Sequence, residues 1–242
     1  MSNVKVLNCI TGLSIGGAEY MLVRYLRQID REQFNPSVLS LLAPGPLKHH
    51  ITDLNIKLAT IGMSESQLSL AAFRKLRREF RSAGPDLIHG WMSHGNVAAS
   101  VGSMIGSKMP VIWSIHHSVD DIRTEKRITR WIIRLSAILS KHTAAISYCS
   151  KVAAEQHEKL GFDTSKRRVI PNGTDCDEFR PNAKARSVLG ALLGIPAKRL
   201  MIGNVARFHP MKDHENLVRA IAILVQQGRK FLRRLGHDHV GN

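Results

Sequence analysis

The feature that most constrains the fold is a repeated alternation of short apolar runs with longer amphipathic stretches. Runs of strand length recur along the first 170 residues, each followed by a segment with helical spacing. This alternation is typical of βα units, whose strands pair in parallel beneath covering helices. The predicted strands are Val4–Thr11, Pro36–Leu42, Ile56–Ile61, Asp86–Met92, Val111–Ile115, Ala144–Tyr148 and Arg168–Ile170. They predict one doubly wound, Rossmann-like α/β domain.

The helices between these strands are predicted from apolar spacing and from end signals. Ser150 is a good N-cap and Gly161 a good C′ residue for one of them. The predicted helices are Ala18–Ile29, Gln67–Ser82, Asn96–Ile105, Ile122–His142 and the segment between Ser150 and Gly161. Residues of hydrophobic type make up 43% of the chain, enough to bury a sizeable core.

The regular alternation of apolar runs and amphipathic segments ends after Gly173. A polar connection with a short helix near Ala183–Leu193 is followed by a predicted strand, Leu200–Ala206, and a predicted helix, Asp213–Gln227. One strand and one helix cannot bury a core by themselves. We therefore predict a domain over residues 1–174, a linker over 175–198, and an incomplete second Rossmann-like domain over 199–242.

Composition limits the classes of partner. The chain has 35 Lys+Arg and 19 Asp+Glu, a formal net charge of +16. Its three cysteines are far apart, which gives no disulfide framework and fits a reducing compartment. The first 20 residues lack a signal-peptide pattern, and the apolar runs are too short for a membrane span. The charge leaves nucleic acid, anionic lipid and phosphorylated small molecules as candidate partners.

Glycines follow the first strand. Gly12, Gly16 and Gly17 precede a predicted helix, where free backbone amides can bind phosphate. A tight βα turn explains the same glycines equally well.

Histidines follow two further strands, at the edge where open α/β sheets bind ligands. His89 and His94 flank Trp91, and His116 and His117 follow Val111–Ile115. Such a His can act as a base or bind substrate hydroxyls, although a structural hydrogen bond is the simpler interpretation for each one. No H-E-x-x-H motif or Cys/His cluster is present, so we expect no metal site.

Arginines line two predicted helices. Arg123, Arg127, Arg130 and Arg134 share one face of the first, and Arg74, Arg77, Arg78 and Arg81 share one face of the second. We expect the opposite, apolar faces to lie on the core; these include Ile128, Ile132, Leu135 and Leu139. The basic faces suit an anionic membrane, at about 1 kcal/mol per residue near the surface. Nucleic acid is less favoured, because aromatics are only 5% and no recognised module is present.

Two cations flank the last predicted βα turn. Arg207 ends the predicted strand and Lys212 precedes the next helix, an arrangement suited to a diphosphate. A solvated basic loop is the alternative.

Together these segments resemble the GT-B glycosyltransferases, specifically the retaining glycosyltransferase family 4. The matching motifs occur in order across residues 4 to 228. They are Gly16-Gly17-Ala18-Glu19, Asp86-Leu87-Ile88-His89, Trp91-Met92-Ser93-His94-Gly95-Asn96, Trp113-Ser114-Ile115-His116-His117-Ser118, Val169-Ile170-Pro171-Asn172-Gly173, Phe179-Arg180-Pro181, and Gly203 through Lys212.

The resemblance implies two Rossmann-like domains that face each other, the first for the acceptor and the second for a nucleotide-diphosphate sugar. It implies that Gly16, Gly17, Arg207 and Lys212 contact the donor phosphates. His116 would position the transferred sugar, and His94 and Asn96 would contact the acceptor. The resemblance implies neither a metal nor a cofactor. Relatives build surface polysaccharide or lipopolysaccharide on lipid-linked acceptors, which implies a cytoplasmic protein peripheral to the inner face of the membrane.

The sequence departs from the family after Gln227. The family's second domain continues further and carries a Glu-x7-Glu pair that binds the donor, and no such pair follows here. We therefore expect a truncated product with little or no transferase activity. A non-enzymatic module that binds acceptor or anionic membrane, and a basic nucleic-acid-binding protein, stay open as alternatives.

Overall fold

The computed structural model describes residues 3–63, 70–105, 108–206, 208 and 212–227 of the 242-residue chain. The chain divides into two compact units, Met1–Gly173 and Thr174–Asn242. The first unit holds the sheet and most of the predicted site residues.

The first unit is built on a seven-stranded, wholly parallel sheet. Its strands are β1 Val4–Ile10, β2 Phe34–Leu42, β3 Lys57–Met63, β4 Leu87–Trp91, β5 Val111–Ile115, β6 Ala145–Tyr148 and β7 Arg167–Val169. The strand order is β3-β2-β1-β4-β5-β6-β7. The order reverses between β1 and β4, as in doubly wound folds, so the predicted fold class is confirmed.

In the described part of the first unit, six α-helices connect these strands. They are α1 Gly17–Gln28, α2 Lys48–Thr52, α3 Leu70–Ala83, α4 Met92–Ile105, α5 Arg127–Leu139 and α6 Lys151–Lys159. The prediction missed α2, which is only 5 residues long and too short for a helical period. The predicted helix at 122–142 is interrupted: α5 lies between 3-10 turns at Ile122–Thr124 and Ser140–His142.

The helices cover the two faces of the sheet. Side chains of α1 and α2, among them Leu22 and Ile51, share one buried cluster with Ile10, Val38 and Trp91. Helices α3, α4, α5 and α6 bury side chains in the other cluster. It includes Phe80, Ala99, Ile133, Ala153, Cys9, Ile88 and Trp113. This separation follows from right-handed crossovers that run in opposite directions from the reversal point.

The second unit contains helix α7 Ala185–Leu193 and helix α8 His214–Gln226. The predicted strand Leu200–Ala206 is wrong: residues 200–206 have no regular secondary structure. A strand requires a partner for its backbone hydrogen bonds. Among the described residues of this unit none forms a strand, and Leu200 and Val205 are exposed.

Candidate functional site

The candidate site lies at the carboxyl ends of β1, β4 and β5. Ile10 pairs with Trp91, and Trp91 pairs with Ser114, so the residues that follow these strands emerge side by side. The sheet order reverses between the first two of these strands, and their chains leave toward opposite faces. Such a reversal leaves a crevice in which open α/β sheets bind ligands.

Glycines bring α4 close to the sheet at this crevice. A Cβ at Gly95 would lie 2.5 Å from the carbonyl oxygen of Cys9, and one at Gly90 would lie 2.7 Å from Cα of Asn96. Strand β4 passes directly into α4 at Met92, which adopts a left-handed φ of 63°. The first turn of α4 is therefore fixed against β1 and β4, and it holds Asn96 in a buried position.

The β1–α1 loop supplies the start of a helix. Gly16 is the N-cap of α1 and makes no side-chain capping bond, and a Cβ at Gly17 would meet nothing within 4 Å. The buried carboxylate of Glu19 lies beside Gly16, where a Cβ would be 2.4 Å from its Oε2. Ser14 Oγ donates to that carboxylate over 3.3 Å. A carboxylate of the chain itself thus lies on the Gly16 side of this helix end, and the Gly17 side is open.

A buried aromatic cluster underlies the crevice. His89 is enclosed, and its Nε2 lies 2.7 Å from Ser114 Oγ. Burial and the nearby His116 lower the pKa of His89 to about 3, so the ring is neutral. Trp91 lies 4.6 Å from the His89 ring and donates its Nε1–H to Asn8 Oδ1. Both rings are thereby fixed in orientation.

His116 stacks on this cluster. Its ring is parallel to Trp91, with 5.2 Å between centroids and 2° between planes. Its Nδ1 donates to Asn172 Oδ1 over 3.1 Å. Burial lowers the pKa of His116, and the Asn172 hydrogen bond opposes that shift. The donor role of Nδ1 leaves a lone pair on Nε2, so the neutral ring can accept a hydroxyl hydrogen.

The Pro-Asn-Gly turn after β7 is held at two points. Asn172 binds His116, and the carbonyl of Gly173 accepts a hydrogen bond from Arg24 Nη1 at 3.0 Å. Arg24 belongs to α1 and His116 follows β5, so the turn is joined both to helix α1 and to the loop after β5.

Unpartnered polar atoms concentrate in this region. Among the described residues, six buried side-chain polar atoms have no hydrogen-bond partner: Thr11 Oγ1, His89 Nδ1, Asn96 Oδ1, Trp113 Nε1, His116 Nε2 and Tyr148 Oη. Four of these, on Thr11, His89, Asn96 and His116, belong to residues at the crevice. Buried polar groups are normally satisfied, so this concentration indicates a place for a polar ligand.

The remaining candidate histidines differ in their surroundings. Burial lowers the pKa of His94, which lies in the first turn of α4. Burial also lowers the pKa of His117, whose ring meets His157 edge-on at 5.2 Å. His117 therefore packs against His157 of α6.

The two predicted cations belong to the second unit. Lys212 is exposed and precedes α8, and Arg207 lies outside the described residues. The side chain of Asp213 caps α8 by accepting from the Asn216 amide.

Several site residues had no predicted role. Trp91, Asn172 and Glu19 stood in the recognised motifs but were assigned no contact, and Arg24 was not singled out. The Pro-Asn-Gly turn after β7 was the available signal for Asn172, because every loop that follows a parallel strand emerges at the same edge.

Known proteins resemble this chain in sequence. "Putative glycosyltransferase EpsF" of Bacillus subtilis (strain 168) is 26% identical, over 98% of this chain and 62% of the relative. A D-inositol 3-phosphate glycosyltransferase of Saccharomonospora viridis is 28% identical, over 80% of this chain and 46% of the relative. The chain thus spans about half to three fifths of the length of these relatives.

A solved structure shares the fold. The crystal structure of Anabaena Alr3699/HepE in complex with UDP and glucose has a TM-score of 0.72 at 18% identity, over 91% of this chain and 58% of that one.

The family assignment rests on a match to a family model. Residues 15–178, more than half of the chain, match the family described as Glycosyltransferase Family 4. The match includes Gly16 and Gly17, the His89–Trp91–His116 stack and the Pro-Asn-Gly turn. The chain belongs to Glycosyltransferase Family 4.

Proposed function

We propose that the chain serves in sugar transfer from a nucleotide-diphosphate sugar to a polysaccharide or lipid-linked acceptor, with retention of anomeric configuration. The observation that carries the proposal is the group of unpartnered buried polar atoms at the sheet reversal of a family 4 domain. The HepE structures contain UDP, glucose or UDP-glucose, which makes UDP-glucose the first donor to test.

His116 is proposed to position the transferred sugar. Its Nε2 is buried without a partner, and its Nδ1–H is occupied by Asn172. A neutral imidazole held in this tautomer accepts a hydrogen bond from a sugar hydroxyl and stabilises positive charge that develops nearby. Stacking on Trp91 fixes the direction of that lone pair.

The donor phosphates are assigned to backbone amides and to two cations. The amides of Gly16 and Gly17 stand at the uncapped start of α1, where the helix dipole favours an anion. Arg207 and Lys212 would neutralise the diphosphate as the sugar–phosphate bond breaks. These cations and amides stabilise the leaving group without a metal or another cofactor.

The acceptor is assigned to the first turn of α4. Asn96 Oδ1 is buried without a partner and can accept a hydroxyl hydrogen. His94, half-buried in the same turn, can bind a second hydroxyl as a neutral ring. A lipid-linked acceptor would place the protein at the cytoplasmic face of a membrane.

We expect the 242-residue chain to show little turnover when assayed alone. Its sequence contains no Glu-x7-Glu pair, which the family resemblance assigns to donor binding. The donor half of the Bacillus subtilis relative, fused after residue 227, should restore nucleotide-sugar binding and transfer.

The test is radiolabelled transfer from UDP-glucose and other nucleotide sugars by this chimera. Transfer that falls at least a hundredfold in His116→Ala and is unchanged in His142→Gln would support the assignment. His142 is exposed and distant in sequence from the site. Robust turnover by the 242-residue chain alone would overturn the expected impairment. Equal turnover by the chimera and its His116→Ala variant would overturn the role of His116.

A second candidate is a non-enzymatic module that binds acceptor or anionic membrane. The exposed arginines of α3 and α5 favour it. Saccharide or vesicle binding that is independent of nucleotide sugar, with no transfer by the chimera, would support this function over the first.

A further inference from the structure

The loop that carries His116 is anchored by a side chain of another element. Residues 116–121 form neither helix nor strand. Val119 donates its backbone N–H to Gln156 Oε1 over 2.9 Å. Among the described residues, no other backbone group of residues 116–120 forms a hydrogen bond. Gln156 lies in α6, so this helix supplies the polar anchor of the loop.

The side chain that follows His116 contacts the same helix. The ring of His117 meets that of His157 edge-on, with 5.2 Å between centroids. His157 is 1% exposed, and its Nδ1 donates to the carbonyl of Ala153 over 2.8 Å. The ring of Phe162 packs edge-on against it at 5.0 Å. A ring enclosed in this way cannot move aside, so it limits where His117 and the adjoining backbone of His116 can lie.

The hydrogen-bond partner of His116 is also connected to α6. Arg167 is the first residue of β7, and its Nε and Nη2 both donate to the carboxylate of Glu158, each over 2.8 Å. A two-point ion pair of this kind fixes direction as well as distance. Strand β7 leads into the turn from which Asn172 binds Nδ1 of His116. Both sides of the His116–Asn172 hydrogen bond are therefore held by α6.

The three residues that make these contacts are consecutive in α6. Successive side chains of a helix point about 100° apart, so three in a row reach different neighbours. We propose that Gln156, His157 and Glu158 are positioning residues, which hold His116 and Asn172 in the mutual geometry that the transferred sugar requires. The inference rests on the role proposed for His116. The three residues act through His116 and not by contact with the sugar.

The stack of His116 on Trp91 provides a spectroscopic signature of that geometry. A ring that lies parallel to an indole is shielded by it, so the Cε1–H and Cδ2–H resonances of His116 should lie upfield of those of a free histidine. Proton–carbon NMR of the 242-residue chain measures them, with His116→Ala for assignment. We expect Gln156→Ala, His157→Ala and Glu158→Ala each to lose most of this upfield shift.

Conservative variants separate positioning from a general loss of stability. Gln156→Glu keeps an oxygen that accepts the Val119 N–H, and His157→Phe keeps an aromatic ring against His117. Each should therefore retain most of the upfield shift. Glu155→Ala, at an exposed position of α6, is the matched control and should leave the shift unchanged. Far-UV circular dichroism and urea midpoints show that each variant is folded.

Kinetics of the chimera measure the consequence for transfer. Gln156→Ala and Glu158→Ala should each lower kcat roughly tenfold or more and change KM for UDP-glucose by less than about twofold, because a small displacement of a reacting geometry lowers mainly the rate. Gln156→Glu should restore most of kcat. Glu155→Ala should behave as the parent does.

Two results would overturn the inference. An unchanged His116 resonance in folded Gln156→Ala and His157→Ala would show that the loop keeps its geometry without α6. A resonance that moves while kcat stays at the parent value, in a chimera that His116→Ala inactivates, would show that transfer does not need this geometry. A chimera without transfer activity would contradict the proposed function alone, because the His116 resonance still decides whether α6 orients the ring.

Discussion

At the scale of single residues, His116 is held between two opposing influences on its protonation. Burial favours the neutral ring, whereas the hydrogen bond to Asn172 favours the proton. Asn172→Ala should therefore lower the pKa of His116 further. Loss of one hydrogen bond of about 1 kcal/mol should also lower kcat/KM of the chimera by roughly fivefold to tenfold.

An NMR titration of His116 in the 242-residue chain measures the pKa directly. Asn182→Ala is the matched control, because Asn182 caps only the amide of Lys184. An unchanged titration curve in Asn172→Ala would show that the hydrogen bond does not affect the pKa of His116.

Two glycines of the site offer opposite tests. At Gly17 a Cβ meets nothing within 4 Å, so Gly17→Ala should leave the free energy of unfolding within about 0.5 kcal/mol while it weakens donor binding by the chimera. At Gly95 a Cβ would lie 2.5 Å from the Cys9 carbonyl, so Gly95→Ala should cost about 1–3 kcal/mol. Urea unfolding measures the stability of both variants, and nucleotide-sugar titration measures donor binding by their chimeras. Equal stability of the two variants would contradict the close approach of α4 to β1.

Sequence reasoning selected part of this site. Gly16, Gly17 and His116 follow predicted strands and stand in recognised motifs, so pattern and resemblance led to them. The Trp91–His116 stack and the His116–Asn172 bond join residues far apart in the chain, and their geometry depends on strand order. The carboxylate of Glu19 lies beside Gly16, three residues away in the chain, and so local a contact could have been predicted from the spacing.

At the scale of elements, α5 shows why apolar periodicity alone predicted the wrong face of the helix to be buried. The sequence predicted that Ile128 and Leu135 lie on the core, but they are 52% and 42% exposed, and Ile133 and Ala137 are buried. Apolar residues cover more than half of the circumference of this helix, so the pattern fits two orientations. Contact with the small-residue helix α4 decides between them.

The α3–α4 contact predicts a stability effect. A Cβ at Gly102 would lie 2.1 Å from the ring of Phe80, which is fully buried. Gly102→Ala should therefore destabilise the first unit by about 1–3 kcal/mol, since the ring cannot move without opening the core. Thermal unfolding measures the change, and Phe80→Leu in the same background should recover part of it. Recovery to above the stability of the parent would show that the core was not tightly filled here.

At the scale of the whole molecule, buried histidines make stability depend on pH. Burial lowers the pKa of His89 to about 3 and that of His157 to about 4, from an ordinary value of 6.5. Between about pH 6.5 and 4 the unfolded chain therefore binds protons that the folded chain does not. Stability should fall with decreasing pH in this window, by about 1 kcal/mol per pH unit for each histidine.

Urea midpoints between pH 7 and pH 5 measure this slope. His157→Gln should reduce it, while His142→Gln, at an exposed position, should not. A midpoint independent of pH in the parent chain would contradict the burial of both rings.

The sheet of the first unit could be predicted because each strand is marked by its own apolar run and each crossover by a helical period. All seven strands predicted for this unit are present, with ends that shift by at most two residues. The prediction of a strand at residues 200–206 was wrong for the same physical reason that the other strand predictions were right. A strand is stabilised by neighbours, and an apolar run without neighbouring strands has no ladder to join.

The direct passage from β4 into α4 at Met92 leaves no spare residue between strand and helix. A single inserted residue there would turn the whole helix by about 100° and move its buried side off the sheet. Length changes in this enzyme family should therefore accumulate in other connections and avoid this junction. The junction therefore fixes the distance between the first turn of α4 and the carboxyl edge of the sheet.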